Sequence, residues 1–484
     1  MSDLLSAFEG AVSSYVLVYL LLAAGLYYTI RTRCVQVRLF AHMARLVIGS
    51  GGSGGARSSL SSFQALTIGL ASRVGTGNIA GVALAVIIGG PGALFWMWIV
   101  AFLGMATSFV ESTLGQIFKV PWKDDIYRGG PAYYMQRGLG ARRTGVLFAV
   151  MLVFSYGIVF PMVQANTIAS TLNSSHGVPV GITALVLMAL TAPLLLRGMR
   201  VVAKVVQVLV PVMAMVYLLV AAAIILIQFA QLPRVLHDIF VGAFGLQPAL
   251  AGTGGGLFAT FLNGVKRGLF SNEAGQGSVP NGAATAEVDH PAQQGLVQAF
   301  GVFIDTILIC SATGFVILLA PPAIYTPGVE PSFSNVTLVQ MAIAEHLGGG
   351  GWVVWFMTFV VLTFAYSSTL GYSSFAQINV DFLQWGEAGR LGLVIAMVLA
   401  TGIGSIVALT TAWTLADIAL ALMTILNLVC ATMLGGWAFG ALRDYDRQRK
   451  NGVAAPRFVA TGNTDLPGEL RTQVWGQPRT PVGS

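Results

Sequence analysis

The sequence predicts an all-α integral membrane protein of eleven transmembrane helices, and three observations carry that prediction. Of its 484 residues, 55% are hydrophobic and only 9% are charged, leaving more apolar surface than a soluble core can bury. Eleven mostly apolar stretches reach the roughly 17 to 25 residues that cross a bilayer. Within the second of them lies Ala71-Ser72-Arg73-Val74-Gly75-Thr76-Gly77-Asn78, a run of glycines, polar groups and a cation. Irregular backbone at membrane depth survives only where protein or a wet cavity supplies hydrogen-bond partners, so this break marks a candidate binding site.

In order, the predicted spans cover approximately residues 11 to 30, 61 to 88, 92 to 118, 143 to 171, 179 to 197, 204 to 230, 248 to 268, 293 to 319, 351 to 383, 391 to 410 and 412 to 441. Charge supports the order, because Lys and Arg collect in cytoplasmic loops. With the N-terminus outside, all but two of the 26 Lys and Arg fall inside, from Arg31, Arg38 and Arg57 through Lys119, Arg128, Arg197, Arg200, Lys266, Arg267 and Arg390 to the group from Arg443 to Arg479. Arg234 falls outside and Arg73 within the membrane. The net charge of +7 thus reports orientation in a cytoplasmic (inner) membrane, and nucleic-acid binding is a poor reading of it. Asp3 and Glu9 stand where a cleaved signal has cations, so the first span is expected to stay.

Cys34, Cys310 and Cys430 are scattered, which indicates neither a disulfide framework nor a thiolate metal site. His42, His176, His237, His290 and His346 are dispersed, and no nucleophile, base and acid group together, so an enzyme is not expected. The polar stretch after Asp444 reads as a cytoplasmic tail with little fixed structure.

Spans two to six and seven to eleven form two sets of five. An odd number in each set inverts the second against the first, so an inverted repeat is expected. The organisation predicted is residues 1–60 with the first span and a basic loop, 61–230 as the first five-helix repeat, 231–247 as an external loop, 248–441 as the second repeat and 442–484 as the tail. The second set carries its own interruption at Gly268-Leu269-Phe270-Ser271-Asn272-Glu273-Ala274-Gly275-Gln276-Gly277, with Gly252 to Gly256 as an alternative position. Glycines in membrane helices often serve close helix packing, but packing has no use for a cation and an amide in hydrocarbon, which sets the run from Arg73 to Asn78 apart.

Residues 89 to 104, Gly-Gly-Pro-Gly-Ala-Leu-Phe-Trp-Met-Trp-Ile-Val-Ala-Phe-Leu-Gly, resemble the signature of the sodium:alanine (alanine or glycine:cation) symporter family. Val74-Gly75-Thr76-Gly77-Asn78, Gly129-Gly130-Pro131-Ala132-Tyr133-Tyr134, Lys266 to Gly275 and Phe303-Ile304-Asp305-Thr306 resemble it in the same order. The resemblance spans about residues 11 to 441. It implies a LeuT-type 5+5 inverted repeat behind one extra N-terminal helix, broken helices 2 and 7, sodium coupling and a small neutral amino acid. In span nine this chain departs from the pattern: Tyr372 stands where the family has a pocket tryptophan.

The first half of span two would end in free carbonyls near Ala71 and Val74, and the second half would begin in free amides near Gly77 and Asn78, with Gly75 and Thr76 as further candidate substrate contacts. A cation suits the carbonyl end and a carboxylate the amide end. Carbonyls near Leu269, Phe270 and Ser271 would take the substrate ammonium, and Gln164 with Tyr372 would line the pocket. Ser368 and Thr369 facing span two resemble the sodium site common to this fold, although such hydroxyls ordinarily bond back to their own helix. Asn166 and Thr167 are further candidates on span four, with Tyr156 or Phe160 closing over the pocket. For Asp305 and Glu273 the expectation is charge balance with Arg73, Lys266 or Arg267; for Glu111 it is Lys119 and the basic loop. Rival functions are proton-coupled transport, a ligand-gated ion-conducting channel, and a sensor signalling through the tail.

Overall fold

The computed structural model describes Gly10 and residues 16–50, 60–123, 126–244, 256–327, 329, 335–407, 409–470 and 472–476. Asp3, Glu9, Arg57, Arg479 and most of the Gly252 to Gly256 cluster lie outside these residues. The chain runs through α1 (Val18–Arg31) and the shorter α2 (Phe40–Ser50) into α3 (Ser62–Arg73) and α4 (Gly77–Gly89). There follow α5 (Ala93–Ile117), α6 (Pro131–Gly138), α7 (Arg142–His176), α8 (Val180–Leu196), α9 (Met199–Ile227) and α10 (Leu232–Ala243). The remainder comprises α11 (Gly256–Asn272), α12 (Val279–Ala284), α13 (Pro291–Leu318), α14 (Asn335–His346), α15 (Gly351–Leu383), α16 (Gly386–Ile406) and α17 (Leu409–Lys450). Between α5 and α6 a small hairpin pairs Val120 with Arg128 and Pro121 with Tyr127.

Seven of the described helices (α5, α7, α9, α13, α15, α16 and α17) are long and apolar enough to cross a membrane, and α3 with α4, bent by 50° at a short break, make an eighth. The protein is therefore a helical membrane protein. Shorter apolar helices among the described residues are α1, α2 and α8.

Local signals explain the boundaries. Ser61 and Gln64 form a capping box, Ser61 Oγ accepting from Gln64 N at 3.2 Å and Ser61 N donating to Gln64 Oε1 at 3.1 Å, which fixes the start of α3. Helix α7 ends on Gly177 in the left-handed region, φ +66°, where glycine carries no Cβ penalty. Helix α13 starts at Pro291, whose missing N–H costs nothing there, while His290 Nδ1 caps Ala292 N at 3.1 Å.

The loops gather at two ends. At the end rich in Lys and Arg, the basic end, Arg38 meets Asp446 at 2.7 Å, and Arg128 and Arg390 share Asp381 at 2.7 and 2.8 Å. At the opposite end His176 bonds Thr358 at 2.8 Å and Gln228 bonds His346 at 3.2 Å.

The tail departs from its expectation. Phe458 and Trp475 are buried and pack ring edge to face at 5.5 Å. Phe458 N donates to Asp289 O at 2.9 Å, and Trp475 Nε1 to Gln116 O at 3.1 Å. A Gly- and Pro-rich composition hid two aromatic anchors that find their partners on the basic end of the bundle.

Candidate functional site

The site is built around the gap between α3 and α4. Val74 N still closes onto Leu70 O at 2.7 Å, but Gly75 N turns to the Asn78 side chain, Oδ1 at 2.9 Å, and no longer closes a turn on Ala71. Thr76 N donates to Gln164 Oε1 at 3.2 Å, and Gln164 Nε2 donates to the Tyr372 hydroxyl at 2.9 Å. Ser368 Oγ donates to Val74 O at 3.3 Å and to Phe364 O at 3.0 Å. Three helices far apart in sequence thus meet at one interruption.

Two groups there remain without partners among the described residues: the Thr76 hydroxyl, which is buried, and the Gly77 amide, the first of α4. A buried polar group left unpaired costs about 1–3 kcal/mol. Both sit at the positive end of a half-helix.

Glycine is required by close approach. A Cβ on Gly75 would overlap Ser368 Oγ and lie 3.3 Å from Gln164 Nε2, and one on Gly77 would lie 3.1 Å from the Phe270 ring. Aromatic rings wall this region: Phe160 stands 5.7 Å from both Phe270 and Tyr372, and Tyr156 stands 5.1 Å from Tyr372.

On the far side of the gap lies Asp305. Its carboxylate accepts from Asn78 Nδ2 at 2.7 Å, Ser271 Oγ at 2.8 Å and Thr306 Oγ1 at 2.7 Å. Its direct contacts are neutral donors from α4, α11 and α13, and of the expected balancing cations Arg73 acts on it through space, without a direct ion pair. Arg73 instead donates to Gln298 O at 3.0 Å and Ser108 Oγ at 2.9 Å. Arg267 pairs with Asp417 at 2.5 Å. Three π-helical turns, Gly77–Gly81, Ser155–Val159 and Phe303–Cys310, carry Asn78, Tyr156 and Asp305. Such turns re-aim side chains inside a helix and recur at functional sites.

Helix α11 runs unbroken through Asn272, so the interruption falls at its end, with Glu273, Gly275 and Gly277 at φ of +55°, +90° and +75°. Leu269 O is already taken by Glu273 N at 3.0 Å and Gln276 Nε2 at 2.9 Å. Leu269 therefore faces its own turn, while Phe270 and Ser271 reach the gap. Glu273 accepts from Ser72 Oγ at 2.5 Å and Ser278 Oγ at 2.7 Å, and Arg73 again acts on it through space, without direct contact. Glu111 is not paired with Lys119. It accepts the Gly275 and Gly277 amides at 3.1 and 3.2 Å and Asn427 Nδ2 at 2.9 Å, and so holds the second interruption open. Lys119 donates to Ala286 O at 2.8 Å.

Among the span-nine hydroxyls, Thr369 bonds back to Ala365 O at 3.3 Å, so only Ser368 bonds to span two. Asn166 reaches Gly404 O and Val407 O, and Thr167 bonds to Val163 O; both serve helix contacts. Cys310, 3.3 Å from Asn78 Nδ2, and Thr313, donating to Asn78 O at 2.7 Å, were not singled out by the sequence. Their one visible signal is a spacing of five and eight residues from Asp305 on the same helix.

A bundle of apolar helices with an interruption at its core, lined by unpaired backbone and hydroxyl groups, is the arrangement expected of a secondary transporter. The model of the sodium:alanine symporter family matches residues 1–460, and the chain belongs to that family. It is 42% identical over 463 residues to the amino-acid carrier protein AlsT of Bacillus subtilis, covering 95% of this chain and 94% of that protein. It is 43% identical to the probable sodium/glutamine symporter GlnT of the same organism, with 91% and 89% covered. With the sodium/alanine symporter AgcS of Methanococcus maripaludis it shares 35% identity, with 90% and 95% covered.

Proposed function

We propose that this protein carries a small neutral amino acid across the cytoplasmic membrane together with sodium, by alternating access. The observation that carries the reading is the gap between α3 and α4, where the Gly77 amide and Thr76 hydroxyl lack partners beside Gln164 and Tyr372. The substrate carboxylate would take these two groups at the amide end of α4. Phe270 and Ser271 would face its ammonium side, and Phe160, Tyr156 and Tyr372 would enclose its side chain. Sodium would lie at the carbonyl end, with Val74, Ala71 and the Ser368 hydroxyl as hard oxygen ligands. A zwitterion needs no formal counter-charge in such a site.

The same reading includes eleven spans, one N-terminal helix before a LeuT-type pair of inverted five-helix repeats (61–230 and 248–441), an external N-terminus and a cytoplasmic C-terminus. Relatives named for alanine and for glutamine bracket the substrate size, and Tyr372, smaller than tryptophan, widens that range.

Uptake of radiolabelled alanine, glycine, serine, threonine and glutamine into proteoliposomes, with and without an inward sodium gradient, is the test. Concentrative uptake that needs the gradient and falls at least tenfold in Asn78→Leu and in Ser368→Leu is expected. Unchanged uptake in both variants rejects the site. One observation favours a second reading, proton coupling: Asp305 is a fully buried acid beside the gap with no cation in direct contact. Uptake that follows a proton gradient without sodium and is lost in Asp305→Asn would establish it. Ion flux far above substrate flux would make the protein a channel.

A further inference from the structure

We propose that the cavity at the basic end of the bundle binds the phosphate headgroup of an anionic phospholipid. The cavity encloses about 710 Å³ between the α8–α9 turn, the hairpin after α5, and helices α15 and α16. Lys123, Arg128, Arg197, Arg200 and Arg390 line it. Glu387 also lines the cavity and Asp381 lies behind it, while Asp124 and Asp125 of the hairpin lie outside the described residues.

The site is built, not merely a basic patch. Arg128 has a side chain only 4% exposed and is fixed by Asp381 at 2.7 Å. Arg390 is held by the same carboxylate at 2.8 Å and by Glu387 at 3.0 Å. Lys123, Arg197 and Arg200 stand exposed at the rim. Guanidinium forks match phosphate geometry, and basic pockets between membrane helices are natural seats for anionic headgroups.

The rest of the lining selects a lipid over a soluble anion. Leu195, Leu393, Val394 and Met397 form an apolar wall. Leu196 and Leu391 line the cavity and are 62% and 52% exposed, and Ile395 and Leu399 continue the Leu391 ridge at 51% and 52%. That ridge extends about 12 Å along α16, most of one leaflet's hydrocarbon depth, and offers an acyl chain a track from headgroup to bilayer. No residue at the α3–α4 gap lines the cavity, and a zwitterionic substrate gains little from an excess of cations.

The full chain in neutral detergent, examined by native mass spectrometry and thermal unfolding, decides the matter. Phosphatidylglycerol should be retained and should raise the unfolding midpoint, whereas phosphatidylcholine and inorganic phosphate should do neither. With about fivefold in affinity for each cation near a headgroup, the double variant K123Q/R197Q should lose about twentyfold of the preference. K123R/R197K should keep it within about threefold. Should the glutamine pair fail to fold, Lys123→Gln alone should cost about fivefold. Wild-type preference in the glutamine variants overturns the proposal, and so does a midpoint shift by inorganic phosphate equal to that of the lipid.

Discussion

Gly75 shows how little room the site allows. A Cβ there would overlap Ser368 Oγ, so Gly75→Ala must displace the hydroxyl from Val74 O. Sodium-dependent uptake should fall at least tenfold while the detergent-solubilised variant keeps its gel-filtration profile. Loss of the folded peak would mean that the glycine serves packing alone. Tyr372 makes a finer test: Tyr372→Phe removes the acceptor for Gln164 Nε2, leaving a buried donor at a cost of about 1–3 kcal/mol. The apparent KM should rise five- to a hundredfold with kcat little changed, and an unaltered KM would remove Gln164 and Tyr372 from the pocket. Asn78, Thr76 and Gly77 stood out in the sequence because polar groups in hydrocarbon demand a reason. That Asn78, Ser271 and Thr306 would converge on Asp305 was not visible, since only the packing of three helices brings them onto one carboxylate.

At the scale of elements, the two interruptions differ in kind. The first is a gap in mid-span with unpaired groups; the second is a turn whose amides are taken up by Glu111. The sequence showed both glycine runs but could not show that difference, which depends on an acid 164 residues away in the chain. The docked tail is another case. Trp475→Ala removes the contacts with Phe458 and Gln116 O and should weaken docking by about 3 kcal/mol, seen as faster proteolysis after Lys450. Proteolysis at the wild-type rate would show that the tail does not dock in solution. His290 ties the tail's seat to pH. Burial holds its pKa below the ordinary histidine value, so the folded seat disfavours the proton that the released form accepts. Docking is then intact above about pH 6.5 and weakens as pH falls below it. Tail cleavage should accelerate in that window, and His290→Gln should flatten the profile; a profile unchanged by the substitution would place the pH dependence elsewhere.

For the whole molecule, the ion pairs at the basic end set tolerance to change. Asp381→Asn leaves buried Arg128 without its carboxylate and should cost about 3–5 kcal/mol, a clear drop in the unfolding midpoint. Asp446→Asn, whose partner Arg38 is 35% exposed, should cost less than about 1 kcal/mol. Equal effects would mean that the Asp381 cluster is open to water.

Hydropathy and charge by themselves determined that the chain crosses a membrane, where its apolar stretches lie and that the second is interrupted. Those properties follow from the free energy of placing each residue type in hydrocarbon, which needs no knowledge of neighbours. Tertiary structure alone decided that Arg73 is held by a carbonyl and a hydroxyl, that Glu111 caps the Gly275 turn, that Thr369 bonds back to its own helix while Ser368 bonds to span two, and that the tail folds onto the bundle. A buried polar group is satisfied by whichever donor or acceptor packing delivers, and packing joins residues that the sequence holds hundreds of positions apart.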